Sequence, residues 1–172
     1  IAKVRHELGL DLPYHVQYLN FLKGAVRFDF GTSYFTKEVV SDALFRCFKV
    51  TVKLACMSFA FAAVIGIPCG IFSAVQRGKG IDTAVMILSI VGVSAPAFWV
   101  AIILQIVFGL KLNILPISGF DSAASYILPS VALGARYAGS MARITRTSML
   151  EVLNQDYIRT AYSKGVKQKR VL

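Results

Sequence analysis

Arg143-Ile-Thr-Arg-Thr-Ser-Met-Leu-Glu-Val-Leu-Asn-Gln-Asp-Tyr-Ile-Arg-Thr-Ala-Tyr-Ser-Lys-Gly165 follows directly on apolar sequence, yet it carries paired charges and ends on a glycine. Its spacing predicts a short helix. Asp156 is placed to cap the N-terminus, where a carboxylate can accept otherwise unpaired backbone N–H groups. Lys164 falls in the last turn, where a cation suits the helix dipole, and Gly165 supplies the left-handed residue just past the end. Between them lie about two turns, roughly 12–14 Å at ~1.5 Å per residue. Leu150, Leu153, Tyr157 and Ala161 fall at spacings that give one apolar face. A short capped helix beside apolar sequence suits contact with another protein.

The chain around it is 172 residues long, 56% hydrophobic and only 16% charged, with a mean hydropathy of +0.62 and a net charge of +10. Apolar bulk with a basic excess points to an all-α membrane protein with cationic cytoplasmic edges. The basic residues flank apolar runs and do not line one soluble face, which argues against nucleic acid as the partner. Arg77, Lys79, Arg136, Arg143, Arg146, Arg159, Lys164, Lys167, Lys169 and Arg170 fall on one side of the expected spans and outweigh the other side. The positive-inside rule therefore makes the C-terminal segment cytoplasmic.

Three spanning helices are expected, over residues 50–76, 83–110 and 126–146. A segment at 1–49 lies outside or on the interface, and a cytoplasmic segment occupies 147–172. The uncharged run 54–75 is long enough for a ~30 Å hydrocarbon core. Lys49 and Lys53 precede it and can snorkel. Gly66 and Gly70 form a small-xxx-small pair that lets another backbone approach, with Pro68 expected to bend the helix; packing is the preferred reading over a gate hinge. The run 83–110 is uncharged and long enough to tilt or kink, and Ser94 with Pro96 gives the kink an address. Kinked, hydroxyl-bearing segments can line a pathway or simply pack. The third span is weaker, because Pro129 starts it and Arg136 interrupts it. Arg136 could meet anionic substrate groups or sit near the cytoplasmic interface. The interface is preferred, because Arg143 and Arg146 follow within three turns. Before the spans, Pro13 suits a helix start. Tyr14, Tyr18, Phe21 and Phe28 suit a membrane–water boundary, and Asp29-Phe-Gly-Thr-Ser33 reads as a turn.

Several stretches resemble one family. Arg159-Thr-Ala-Tyr-Ser-Lys-Gly165 resembles the cytoplasmic coupling motif of ABC-importer permeases, Glu-Ala-Ala followed by three residues and Gly. Its Arg-Thr-Ala form is that of the dipeptide/oligopeptide/nickel branch. Ser94-Ala-Pro-Ala-Phe-Trp99, Asn113-Ile-Leu-Pro-Ile-Ser-Gly119, Leu8-Gly-Leu-Asp-Leu-Pro13 and Phe28-Asp-Phe-Gly-Thr-Ser33 resemble segments of the same branch. Tyr162 and Ser163 depart from it, where a basic and a small residue are commoner. The resemblance implies the type I importer permease fold in a bacterial or archaeal cell membrane. It also implies a chain without the first helix and last two helices of a six-helix permease. Asp156, Tyr157, Arg159, Thr160, Ala161, Lys164 and Gly165 would dock on a cytoplasmic ATP-binding subunit. A second permease subunit, forming a heterodimer, and an extracytoplasmic substrate-binding protein would complete the assembly. Peptides, nickel or another small solute would be carried.

Catalytic chemistry is not suggested. The phosphate-loop spacing Gly-x4-Gly-Lys-Ser/Thr does not occur, so ATP would be hydrolysed by a partner. Cys47, Cys56 and Cys69 lack metal or redox spacing, His6 and His15 stand alone, and no metal or cofactor is expected. Two other classes remain open. A membrane scaffold with a polybasic lipid-binding tail explains the charge but not the capped helix. A secondary transporter calls for ionisable residues at the midplane, which the first two spans lack.

Overall fold

The computed structural model describes residues 11–167 and is helical nearly throughout; among these residues the only strand-like pairing is a single bridge, Thr32 to Val39. His6, Lys169, Arg170 and the first residues of the Leu8–Pro13 stretch lie outside the described residues. The chain divides into two compact units, one ending at Val52 and one beginning at Lys53.

In the first unit, α1 (Tyr14–Val26) starts on Pro13, whose carbonyl accepts from Val16 and Gln17 N–H at 2.9 and 3.1 Å. Tyr14, Tyr18 and Phe21 are exposed on it. The 29–33 turn forms through Asp29, whose Oδ1 accepts from Gly31 N–H at 3.0 Å, with Gly31 at φ +72°. Phe28 packs on Phe45 with ring centroids 6.1 Å apart, and the Ser41 hydroxyl donates to the Phe28 carbonyl. Glu38 and Arg46 form a two-toothed ion pair at 2.5 and 3.1 Å.

The long helix α2 (Val40–Val75) begins well before the uncharged run, so Lys49 and Lys53 sit within it. It continues through Pro68. It is the one described helix long and apolar enough by itself to cross a membrane. The turn to α3 (Gly80–Ser94) uses Gly78 at φ +76°.

The expected kink after Ser94 is a break of 103°. Pro96 does not sit inside a helix with a clash against the preceding turn. Ala95 and Pro96 are both extended, at ψ 129° and 132°, and Pro96 starts α4 (Ala97–Leu104). A residue before proline is steered out of the helical region, so α3 closes where Pro96 requires it to. The second arm runs on as a π-helix over Gln105–Lys111. The run 83–110 is thus two arms of a broken span or re-entrant loop, not one kinked rod.

Residues 113–119 fold back on that arm: Gln105 Nε2 donates to the Ile117 carbonyl at 3.2 Å, and Ile117 lies against Gly109. A 3₁₀ turn (Ala123–Tyr126) leads into α5 (Ile127–Leu153), and α6 (Asp156–Ser163) follows after a two-residue break.

In the second unit α2, α3 and α5 meet through small residues. A Cβ on Gly66 would lie 2.6 Å from the Ala138 carbonyl oxygen, and one on Gly70 2.6 Å from that of Ala142. On α5, a Cβ on Gly134 or Gly139 would meet the Ser58 or Ser89 carbonyl at 2.8 or 2.7 Å. Backbones that approach this closely gain dispersion contacts without large side chains, the packing used where lipid already solvates the aliphatic ones. Accordingly the buried apolar residues are mostly Ala62, Ala74, Leu128, Ala132, Ala138 and Ala142. Phe72, Leu88, Ile90, Phe98 and Ile102 face outward.

Candidate coupling helix and its anchorage

The helix read from the opening stretch is present as α6, with its two ends built differently from expectation. Gln155 occupies the N-cap, in extended geometry and without a side-chain cap bond. Asp156 is therefore not the cap. It is the first helical residue, where its charge favours the positive end of the helix dipole, and it lies 3.8 Å from Arg159 on the exposed surface. Lys164 lies one place beyond the last helical residue, as the C-cap.

The C-terminal end has the expected geometry. Gly165 has φ +78°, its N–H donates to the Tyr162 carbonyl at 2.9 Å, and Val166 N–H donates to the Ala161 carbonyl at 3.1 Å. This pair of bonds is a Schellman closure, which satisfies carbonyls the helix leaves open. Thr160 and Ser163 donate back to the carbonyls four residues earlier, at 2.9 and 3.0 Å.

The break at Asn154 and Gln155 corrects the single apolar face. Leu150 and Leu153 belong to α5, whereas Tyr157 and Ala161 belong to α6 and do not continue its register. Tyr157 is exposed, Ala161 half-buried, and the buried residue is Ile158, which periodicity did not single out. Its neighbours Asp156, Tyr157, Arg159, Thr160 and Lys164 all point outward. The helix presents a polar, aromatic surface on a single buried anchor.

The site has a second part that sequence reading missed. Asp82, 5% exposed, is held by four hydrogen bonds from three residues. Arg146 gives Nε to Oδ1 at 2.6 Å and Nη2 to Oδ2 at 2.7 Å, Ser73 gives its hydroxyl to Oδ1 at 2.5 Å, and Gly78 gives its N–H to Oδ2 at 2.9 Å. One carboxylate thereby ties the end of α2, the start of α3 and the last third of α5 together. A two-toothed guanidinium–carboxylate pair fixes orientation as well as distance. The partners stand 64 residues apart, and the only sequence trace was a lone acid closing a basic turn.

Of the other anticipated residues, Gly66 and Gly70 lie buried in the α2–α5 contact, while Ser94 and Pro96 lie exposed at the α3–α4 break. The structure does not bring these four to α6. Among the described residues there is no group of His, Cys, Asp or Glu able to hold a metal ion.

Comparison with known proteins gives a consistent result. Residues 66–172 match the family model described as "Binding-protein-dependent transport system inner membrane component". The whole chain aligns with the glutathione transport system permease protein GsiC of Salmonella typhimurium (strain LT2) at 42% identity, covering 56% of that protein. The protein of the same name from Escherichia coli (strain K12) is 41% identical over the same 172 residues and the same share of its length. The chain thus spans little more than half the length of the relatives it matches.

Proposed function

This chain belongs to the binding-protein-dependent transport system inner membrane component family, the ABC-importer permeases of the dipeptide/oligopeptide type, and from that premise we propose that it forms part of the membrane pathway for a peptide-like solute. In this reading it pairs with a second permease subunit and receives solute from an extracytoplasmic binding protein. Cytoplasmic ATP-binding subunits drive it, so the ATPase chemistry belongs to a partner.

The observation that carries the reading is α6: a two-turn helix closed by a left-handed glycine, displaying Asp156, Tyr157, Arg159, Thr160 and Lys164. We assign these residues, with Ala161 and Gly165, to the ATPase-docking surface. The Asp82 anchorage supports that role. A push on α6 reaches α5 across two residues and then α2 and α3 through Arg146. Rigid-body motion of helices is the usual means of such relay.

The same anchorage supports the orientation. It puts the 76–82 turn beside the C-terminal third of α5, and the basic excess of that side makes it cytoplasmic in this reading, with Lys79 and Lys167 facing in and Asp121 facing out. Single-cysteine labelling checks this; reaction of position 121 only from the cytoplasmic side would invert it.

The relatives' names favour a peptide with free carboxylates, glutathione among the candidates, over nickel as the solute. The test is uptake of labelled glutathione and of a dipeptide into proteoliposomes. They would hold the full-length permease pair and its ATPase, with binding protein outside and ATP inside. Uptake requiring both ATP and binding protein is expected. ATP-independent uptake would return the chain to the secondary transporters.

A further inference from the structure

Contacts of opposite character mark the start of α5 and its last third. Just before the helix the Tyr126 ring has Lys53 Nζ 6.0 Å from its centroid and Phe120 at 5.5 Å; seven residues before its end, Arg146 is locked to Asp82. Along a helix at ~1.5 Å per residue these marks stand about 30 Å apart, the thickness of a hydrocarbon core. Arg136 stands midway, about 15 Å from each. With the cytoplasmic boundary taken at Arg146, Arg136 lies about 15 Å inside it, which favours the substrate-facing alternative over the interface reading preferred from sequence.

Arg136 is exposed, as are Arg143 and Thr147, and Ser140 between them is half-buried. Spaced by four, three and four, these residues fall in one strip of α5, within about 60° of arc. Gly134, Ala138 and Ala142, which pack inside the unit, lie on the opposite face. Among the described residues no carboxylate pairs with Arg136 or Arg143.

A guanidinium at mid-depth does not face lipid; it faces protein or water. The close helix contacts on this chain centre on glycine, alanine and serine, and where an arginine enters one, at Arg146, a carboxylate meets it. The strip is instead cationic and hydroxylic, and it runs on to the cytoplasmic end, as the wall of a wet passage would. Arginine's planar fork takes a carboxylate in two parallel hydrogen bonds, whereas it repels a free divalent cation.

We propose that Arg136, with Ser140 and Arg143 below it, forms a carboxylate-binding station on the wall of the translocation pathway, half-way across the membrane. It rests on the permease reading and on α5 as a spanning helix. It adds the residues of this chain that would hold the solute's carboxylates during passage.

The test uses proteoliposomes holding the full-length permease pair and its ATPase, with binding protein outside and ATP inside, and labelled glutathione as probe. Arg136→Gln is expected to lower uptake about tenfold, the scale of one charge-assisted hydrogen bond. Binding-protein-stimulated ATP hydrolysis should stay within about twofold, and Arg136→Lys, which keeps the charge but not the planar fork, should give uptake between those of the wild type and R136Q. Uptake at the wild-type level overturns the station. An equal fall in uptake and in ATP hydrolysis also overturns it, since that marks a packing role. If the wild-type assembly takes up neither glutathione nor a dipeptide, the permease reading itself fails. Independently of R136Q folding, Ser140→Cys in a protein freed of its native cysteines should react with a charged, membrane-impermeant thiol reagent, and S-methylglutathione, which keeps both carboxylates but has no thiol to consume the reagent, should slow that reaction. A position 140 closed to the reagent would mean a dry strip and would sink the proposal.

Discussion

Asp82 shows why single residues can matter more here than periodicity. A carboxylate removed from water costs several kcal/mol unless its lone pairs are met, and Arg146, Ser73 and Gly78 meet them. Removing one partner leaves the other charge uncompensated. Asp82→Asn is therefore expected to destabilise the folded permease by about 3 kcal/mol, and Arg146→Gln by a similar amount. The double variant should lose well under the sum, because neither charge is then stranded. Melting of the purified protein in detergent measures all three; strictly additive losses would mean that the pair is not coupled. An exposed pair behaves differently. Arg46 beside Glu38 holds that carboxyl below its ordinary range, first through the hydrogen bond and then through its charge. A depressed folded value contributes order above the unfolded pKa of about 4.5 and loses it as pH falls through the folded value. Hydrogen exchange at Ser33, Lys37 and Val40 N–H, corrected for intrinsic rates, should thus speed up below about pH 4, and Glu38→Gln should remove the pH dependence.

At the scale of elements, periodicity and punctuation carried different amounts of information. The helical class, the turn at Asp29 and the glycine end of α6 were all legible, because each follows from the geometry of one or a few neighbouring residues. Boundaries set by tertiary contact were not. The start of α2 at Val40 lies among polar residues that hydropathy cannot distinguish from a loop, and the break at 154–155 interrupts an apolar pattern that reads as continuous. Proline marked the right place in the run 83–110 but not the size of the bend, since two consecutive extended residues turn the chain far more than one missing hydrogen bond does. Pro96→Ala frees Ala95 to become helical and should straighten the pair. Spin labels at Ala84 and Ile103, about 18 Å apart across a 103° bend, would move to about 28 Å in a continuous helix. An unchanged distance would assign the bend to contacts with 113–119. The glycines give a second contrast. Gly70→Ala drives a methyl to 2.6 Å from backbone and should cost about 1–3 kcal/mol, whereas Gly92→Ala meets nothing closer than 3.4 Å and should be tolerated. Equal melting temperatures for the two variants would remove the small-residue contact as the basis of packing.

For the molecule as a whole, sequence pointed to the short helix α6, but what holds that helix to the rest became visible only in three dimensions. The Asp82–Arg146 pair joins residues far apart in the chain, and Ile158 is the one α6 residue that is buried outright. The proposed coupling can be tested by separating the shape of the helix end from its fit to a partner. At φ +78° any side chain on residue 165 costs roughly 1 kcal/mol through its Cβ, so Gly165→Ala and Gly165→Leu carry the same backbone penalty. A Cβ there meets nothing within 4 Å in this chain, so neither variant should disturb insertion in the membrane or the packing of α2, α3 and α5. The two differ only in bulk. If α6 seats in a groove on an ATP-binding subunit, Gly165→Ala should retain part of the binding-protein-stimulated ATP hydrolysis. Gly165→Leu should abolish it, and Ala161 should accept only small replacements. Lys167→Ala, beyond the closure, should be nearly silent. The measurement is ATP hydrolysis and solute uptake by the reconstituted full-length assembly. Wild-type values for both in Gly165→Leu would show that α6 is not the coupling element, and would move the search to another cytoplasmic surface such as the 76–82 turn.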